Sequence, residues 1–503
     1  MSDAGKRVLS KRKQRKAARH AMEAASSYGT WLTAAQELDE LHGRDRWVED
    51  ATSSCYDAAQ VRRVTSEIRA RRLAREPLVL AKLLQEAIDQ HGPHVTAPRL
   101  YCETYTGESK RLPREFLREA VAALRYLESE PIDGYPDEAK LEIFKRSAHR
   151  VGRSALMLSG GATMGIYHLG VVKALFERGL LPTVLCGSSM GAIVAAGVCT
   201  RDDEALREFF MRPDLIHRAA MKRKSLAGMA AQRSVFDPPQ LLEHVLHNVH
   251  RDMTFEEAFR QTGRILNISV SPVHSLQKPR ILSHVSTPDL LISHGAVASC
   301  AMPFLYPPAM LMARDRTGAA VPYLPDERWL DGSVAGDLPM ARVGRLHNVN
   351  HFIVSQTNPH VYLLVGRSET PRVPYMAFEI AGSMVRAQAQ SLLGSARKYV
   401  HDERVRPLLD QAYALAAQPY LGDINLHPRV NPRMLRKFVS NPTFEDIEHF
   451  ILEGQRVTWP RIPMIRDQTL LSRAFAEIIE RLERRLASPV PDAAAPAPTG
   501  DPR

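Results

Sequence analysis

Two short apolar runs, each stopped by a glycine turn and each followed by a helical stretch, set the narrowest limit on what this chain can fold into. Ala155-Leu156-Met157-Leu158 runs into Ser159-Gly160-Gly161, and residues 164–176 then read as helix. Residues 183–186 run into Gly187, and residues 190–198 read as a second helix. Strand, glycine turn, helix, repeated, belongs to an α/β fold with a mostly parallel central sheet flanked by helices. Residues 265–270 and 352–354 supply further strand candidates, so the α/β core is expected over 151–365.

The flanks have a different texture. Residues 21–150 read as a helical N-terminal domain: Val61, Val64 and Ile68 recur at helical spacing among arginines, and Leu117, Val121 and Leu124 repeat the pattern after Pro113. Residues 366–487 read as a helical C-terminal region, whose last stripe is Leu471, Phe475, Ile478, Leu482 and Leu486. Residues 488–503 are rich in proline and alanine and are expected to be a disordered tail.

The net charge of +11 is concentrated at one end. Lys6, Arg7, Lys11, Arg12, Lys13, Arg15, Lys16 and Arg19 face a single acid, Asp3, so residues 1–20 are expected to be a basic, disordered tail. Such a tail is drawn to anionic surfaces. A lipid or membrane surface touched peripherally is the expected partner. Nucleic acid is not, because no recognition module accompanies the charge. The five cysteines are too scattered for a disulfide framework or a cysteine zinc cage, which favours a reducing, cytoplasmic compartment. Two uncharged stretches, 179–200 and 295–313, are interrupted by glycines, hydroxyls and prolines, so no transmembrane helix is expected. The basic N-terminus has no apolar run behind it and does not read as a secretory signal.

Gly187-Ser188-Ser189-Met190-Gly191 fits the G-x-S-x-G pattern in the context that gives it meaning, between strand and helix. A nucleophilic serine has to stand exposed on a strained turn, and the glycines Gly187 and Gly191 allow the close approach. The glycine turn after the first strand, with Gly160, Gly161 and Ala162, is placed to offer backbone N–H groups to a tetrahedral oxyanion. Its spacing fails the dinucleotide pattern, and Gly165-Ile166-Tyr167 lacks the Lys-Ser/Thr ending of a phosphate loop. Neither a cofactor nor a metal is called for. Activation of the serine is open at this point between a histidine (His294, His347, His351 or His360) and the acid of Trp329-Leu330-Asp331-Gly332-Ser333.

These motifs resemble the patatin-like acylhydrolases. The correspondence lies in Ser159 to Gly165 as oxyanion loop, Gly187 to Gly191 as elbow, and Asp331-Gly332 as the acid of a Ser–Asp dyad. Asp337-Leu338-Pro339, the run from Asn348 to Gln356 and Asn358-Pro359-His360 resemble the triacylglycerol-lipase branch in particular. That branch carries a helical domain ahead of the core, as Leu100 to Gly107 also suggests. Ala162, Met164 and Ser333 depart from the broader pattern and match the branch; with Met164, the usual cation of the loop is missing.

The resemblance implies Ser189 as nucleophile, Asp331 as its base, an oxyanion hole near Gly160, Gly161 and Ala162, and glycerolipid esters, triacylglycerol first, as substrate. A phospholipase or lysophospholipase of the same mechanism, and a silent lipid-binding scaffold, are the alternatives. His168 is expected to be structural.

Overall fold

The structure is a computed structural model that describes residues 3–225, 227–229, 234–273, 279–358, 421–428, 437 and 439–487. His360, the stretch 366–420 of the expected C-terminal helical region, and the tail 488–503 lie outside the described residues. The chain divides into two compact units, each built from separated segments.

The larger unit comprises Met1–Asp45, Tyr101–Glu108 and Arg153–Arg466. Its strands are β1 (Arg153–Leu158), β2 (Val184–Gly187), β3 (Ile265–Pro272), β4 (Arg280–Ser283), β5 (Met312–Arg314), β6 (Ala320–Pro322), β7 (Trp329–Asp331), β8 (Val349–Ser355) and β9 (Ile424–Leu426). Among the described residues the central sheet runs β4-β3-β2-β1-β8-β9, and β7 also pairs with β3. β1, β2, β3, β8 and β9 pair in parallel, whereas β4 and β7 run antiparallel to β3. All of β2 and β3 and the last four residues of β1 are buried, as expected of strands covered on both faces. Alternate residues share a face: Ala155, Met157, Val184, Cys186 and Val354 pack with Leu338 and Val343 from beyond β7.

Strand order reverses beside β1: the chain proceeds from β1 through β2 to β3 on one side and returns as β8 on the other. Such a switch point opens a crevice at the carboxyl ends of the strands. The glycine loop leaves β1 there, and the elbow leaves β2 beside it. The helix between them, Tyr167–Phe176, crosses the helix Phe444–Thr458 at Gly170 and Gly454. A Cβ on Gly170 would fall 1.9 Å from the Ile451 carbonyl oxygen, and one on Gly454 would fall 2.3 Å from that of Tyr167.

The N-terminus departs from expectation. Asp3–Ala24 is a helix where the charge pattern suggested a disordered tail. Ala18 is buried, Met22 packs on the cluster of Ala25, Trp31, Ala174 and Trp459, and Arg15 donates to the Leu41 carbonyl at 2.7 Å. These contacts supply what the sequence's own periodicity does not.

The smaller unit comprises Arg46–Leu100, Ser109–Gly152 and Asp467–Arg503. It is helical among its described residues. Val61 and Ile68 of Ala58–Leu73, and Leu117 and Leu124 of Arg111–Ser129, are buried as their spacing indicated. So are Leu471, Phe475, Ile478 and Leu482 of Leu470–Ala487. Buried Glu119 receives Arg69 and Arg72, and buried Glu128 receives Arg481 and Arg485. Part of the basic face is thereby matched internally. Among the described residues of the chain, no helix is long and apolar enough to cross a membrane.

Candidate active site

Ser189 sits between the end of β2 and the helix Met190–Cys199 with φ 52° and ψ −126°, in a region side chains rarely adopt. Holding a serine there stores about 1–3 kcal/mol of strain. The flanking glycines make the turn sterically possible. A Cβ on Gly187 would lie 2.2 Å from the Gly191 oxygen, and one on Gly191 would lie 2.3 Å from that of Leu158. The Ser188 N–H donates to Leu158 O at 3.1 Å, fastening the elbow to β1. The Ser189 N–H donates to Ser299 Oγ at 3.0 Å, and that hydroxyl donates to Ser269 O at 2.7 Å. Ser299 thus braces Ser189 from the helix Ile292–Ser299.

Asp331 ends β7, opposite Val270 of β3, and is fully buried. Its N–H donates to Ala301 O at 3.0 Å, and its Oδ1 accepts the Ser333 N–H at 2.8 Å. Gly332 has no room for a side chain, since a Cβ would fall 2.0 Å from Ser269 Oγ. Burial raises the Asp331 pKa from 3.8 to about 6, against the pull of hydrogen bonds from Ser333 and Ser189. The Ser189 hydroxyl, 142 residues away in the chain, is thus close enough to favour the ionised form of this carboxyl group. Among the described residues, Asp331 Oδ2 is buried with no hydrogen-bond partner. Cys300 also contacts Ser189; burial, then the charge of Asp331, pushes its thiol well above the ordinary range, so it stays protonated.

The glycine loop divides its N–H groups. That of Gly160 donates to Asp337 Oδ1 at 2.9 Å, so it is not free to meet an oxyanion. Among the described residues, the N–H groups of Gly161 and Ala162 make no hydrogen bond. Gly161 packs against Thr357, where a Cβ would fall 2.2 Å from Oγ1, and Ala162 has φ 45°. A Cβ on Gly160 would lie 3.4 Å from that of Ser189, which places the loop against the elbow serine.

Asp337 is the residue whose role sequence reasoning missed. Its Oδ2 accepts Asn358 Nδ2 at 2.5 Å, and the Ser188 hydroxyl also bonds the carboxyl group. Burial lifts its pKa to about 7; the hydrogen bond from Gly160 opposes this and the nearby charge of Asp331 adds to it. One carboxyl group thus ties the loop after β1, the elbow after β2 and the segment after β8. Asp337-Leu338-Pro339 was legible as a motif, but nothing local says what the acid holds.

His168 bridges Ser159 O at 2.9 Å through Nε2 and Ser355 Oγ at 2.7 Å through Nδ1. Burial lowers its pKa to about 4, so it is neutral and braces the loop. His347 pairs with Asn267 at 2.8 Å. His351 pairs with Ser154 at 2.9 Å, at the end of β1 remote from the loop. His294 is drawn toward Asp252 and the Met310 carbonyl.

A narrow cleft opens beside the elbow, walled by Thr163, Ile166, Met190, Ile193, Phe209 and Met221 among others. Ser189 and Asp331 are not part of its wall, but Met190, next to Ser189 in the chain, and Thr163 of the loop after β1 are. Its apolar lining suits a hydrocarbon chain.

Residues 156–342 match the family described as "Patatin-like phospholipase", and residues 8–149 match "Domain of unknown function (DUF3336)". The chain is 34% identical to the protein named triacylglycerol lipase ptl3 of Schizosaccharomyces pombe, over 92% of this chain and 97% of that one. It is 32% identical to a patatin-like phospholipase domain-containing protein of Coccidioides immitis and 30% identical to one of Yarrowia lipolytica. Those alignments cover 92% and 91% of this chain but 66% and 57% of the longer relatives. Among solved structures, VipD from Legionella pneumophila matches over 60% of this chain at 14% identity with a TM-score of 0.26. On the strength of an alignment that spans nearly the whole of both chains, this chain belongs to the patatin-like phospholipase family.

Proposed function

We propose that this chain is a serine acylhydrolase that cleaves the carboxylic esters of glycerolipids, triacylglycerol first, with Ser189 as nucleophile and Asp331 as its base. The observation that carries the reading is a strained, elbow-mounted serine whose hydroxyl acts on a buried carboxyl group of raised pKa. Ser189 Oγ attacks the ester carbonyl while its proton passes to Asp331. The N–H groups of Gly161 and Ala162, with that of Met190 at the start of the elbow helix, receive the oxyanion. Collapse expels the glyceride alcohol, which takes the proton from Asp331. Water then attacks the acyl-enzyme, giving its proton to the same carboxylate and regenerating Ser189 as the fatty acid leaves.

Triacylglycerol is favoured over phospholipid by Met164, which is fully buried in the loop where a cation would have met a phosphate. The relative named triacylglycerol lipase supports the same choice. The reaction takes place at a lipid surface touched peripherally, in a reducing, cytoplasmic environment. Purified protein assayed on triacylglycerol and phosphatidylcholine emulsions tests the reading. Ser189→Ala abolishes ester hydrolysis and labelling by a fluorophosphonate probe, and Asp331→Asn lowers turnover by about 10⁴-fold, as loss of a triad member does elsewhere. Hydrolysis retained in pure Ser189→Ala protein overturns the assignment; absence of wild-type turnover and labelling would leave the silent scaffold.

A further inference from the structure

Away from the hydrolytic residues, three side chains converge whose ligand atoms lie within 4.8 Å of one another: His217, Glu243 and His247. Glu243 and His247 are one turn apart on the helix Pro238–Asn248, and His217 follows the turn Pro213–Leu215. Each is already oriented by a neighbour. His247 Nδ1 donates to Glu243 O at 2.8 Å, which leaves Nε2 as the atom with a free lone pair. His217 Nδ1 is engaged with His244 Nδ1 at 3.3 Å, again leaving Nε2. Glu243 Oε2 accepts Gln240 Nε2 at 3.2 Å. The backbone is tied as well, since Asn248 Nδ2 donates to His217 O at 3.2 Å. Imidazoles that ligate metals are fixed in this way, through a hydrogen bond on the nitrogen that does not coordinate.

We propose that His217, Glu243 and His247 form a divalent-cation site, with Zn²⁺ the best-matched ion and water in the fourth position. Two imidazoles and one carboxylate suit zinc, and bonds of about 2.0–2.2 Å place tetrahedral ligands roughly 3.3 Å apart. Closing from 4.8 Å calls for small side-chain rotations, and Glu243 and His247 are exposed, with solvent to turn into. The rings of His217 and His247, stacked with centroids 4.7 Å apart, open toward a shared ion by the same rotation. A neighbouring cation, Arg218, is held over the Phe444 ring at 3.6 Å. The site has a structural consequence for the cleft beside the elbow. His217, His244, Ala220 and Met221 all wall that cleft, so a bound ion fastens one wall to the helix that carries Glu243. The ion takes no part in ester cleavage, and the inference stands independently of the hydrolase reading.

The test uses the full-length protein, stripped of metal and titrated with Zn²⁺ by calorimetry and with Co²⁺ by absorption. One equivalent binds, and the cobalt spectrum shows tetrahedral ligand-field bands without thiolate-to-cobalt charge transfer, which separates the site from the five cysteines. His217→Gln and His247→Gln each weaken binding about 100-fold. His247→Cys recovers it and introduces the thiolate band, showing that a ligand and not the fold was lost. The proposal is overturned if wild type shows no saturable binding below roughly 100 µM, if both glutamine variants lose less than tenfold, or if the cysteine variant gains no thiolate band.

Discussion

Two carboxyl groups six positions apart divide the labour of the site. Asp331 lies near Ser189, while Asp337 grips the glycine loop after β1. Because a base must be ionised to accept a proton, kcat/KM is expected to rise with pH through an apparent value near 6, set by burial of Asp331. The same shift acts on stability with the opposite sense. A buried acid whose folded pKa exceeds its unfolded 3.8 contributes most below that value, and the contribution is lost as pH rises through about 6. The loss is on the order of 3 kcal/mol for Asp331. Denaturation of Asp331→Asn at pH 8 and pH 5 checks this: the variant is more stable than wild type at the higher pH, with the difference shrinking at the lower. Asp337→Ala strands the Gly160 N–H and the Asn358 amide, at about 1–3 kcal/mol each. It is expected to lower kcat about 10–100-fold with little change in KM, the signature of a misplaced oxyanion loop. An unchanged kcat would remove Asp337 from the site.

At the scale of elements, the crossing of Tyr167–Phe176 over Phe444–Thr458 is closed by Gly170 and Gly454 with no space to spare. Gly454→Ala pushes a methyl into the Tyr167 carbonyl and separates the helix that follows the oxyanion loop from its support. A loss of about 1–3 kcal/mol in denaturant unfolding is expected; a change under roughly 0.5 kcal/mol would mean that the crossing yields freely. The strands and helices around both glycine turns were legible because local pattern suffices: an apolar run, a glycine, then helical spacing. β7 was not, because three residues carry no period, and its partner β3 lies some sixty positions earlier. Ser299 and Thr357 were hidden for the same reason. The Ser299 hydroxyl accepts from Ser189 across 110 positions and the Thr357 hydroxyl donates to Gly160 O across 197, spans that no window along the chain displays. The Asp331-Gly332 turn was readable by its resemblance, whereas the hydrogen bond that engages the Gly160 N–H with Asp337 is visible only in three dimensions.

At the scale of the whole molecule, the basic N-terminal stretch has to be reconsidered as a structured element. Ala18 and Arg15 are engaged in packing and hydrogen bonding, so removing residues 1–20 disturbs the larger unit as well as its charge. The cleaner test of lipid-surface attraction converts the exposed Lys11, Lys13, Lys16 and Arg19 to glutamine together. Binding to anionic vesicles is expected to fall more at low salt than at high, because exposed charges are screened over about 10 Å at 0.1 M. Equal binding by the variant at both salts would move the attraction elsewhere on the surface. The division into units has a consequence of its own for biosynthesis. The helix Leu470–Ala487 belongs with helices that precede residue 152, and Phe444–Thr458 belongs with the central sheet. Neither unit can close while the ribosome still holds the final helices, so the earliest segments wait, with their apolar faces bare, for the last to emerge. A premature stop anywhere before residue 444 is therefore expected to leave both units open and prone to aggregation, which the soluble yield of such a truncation checks.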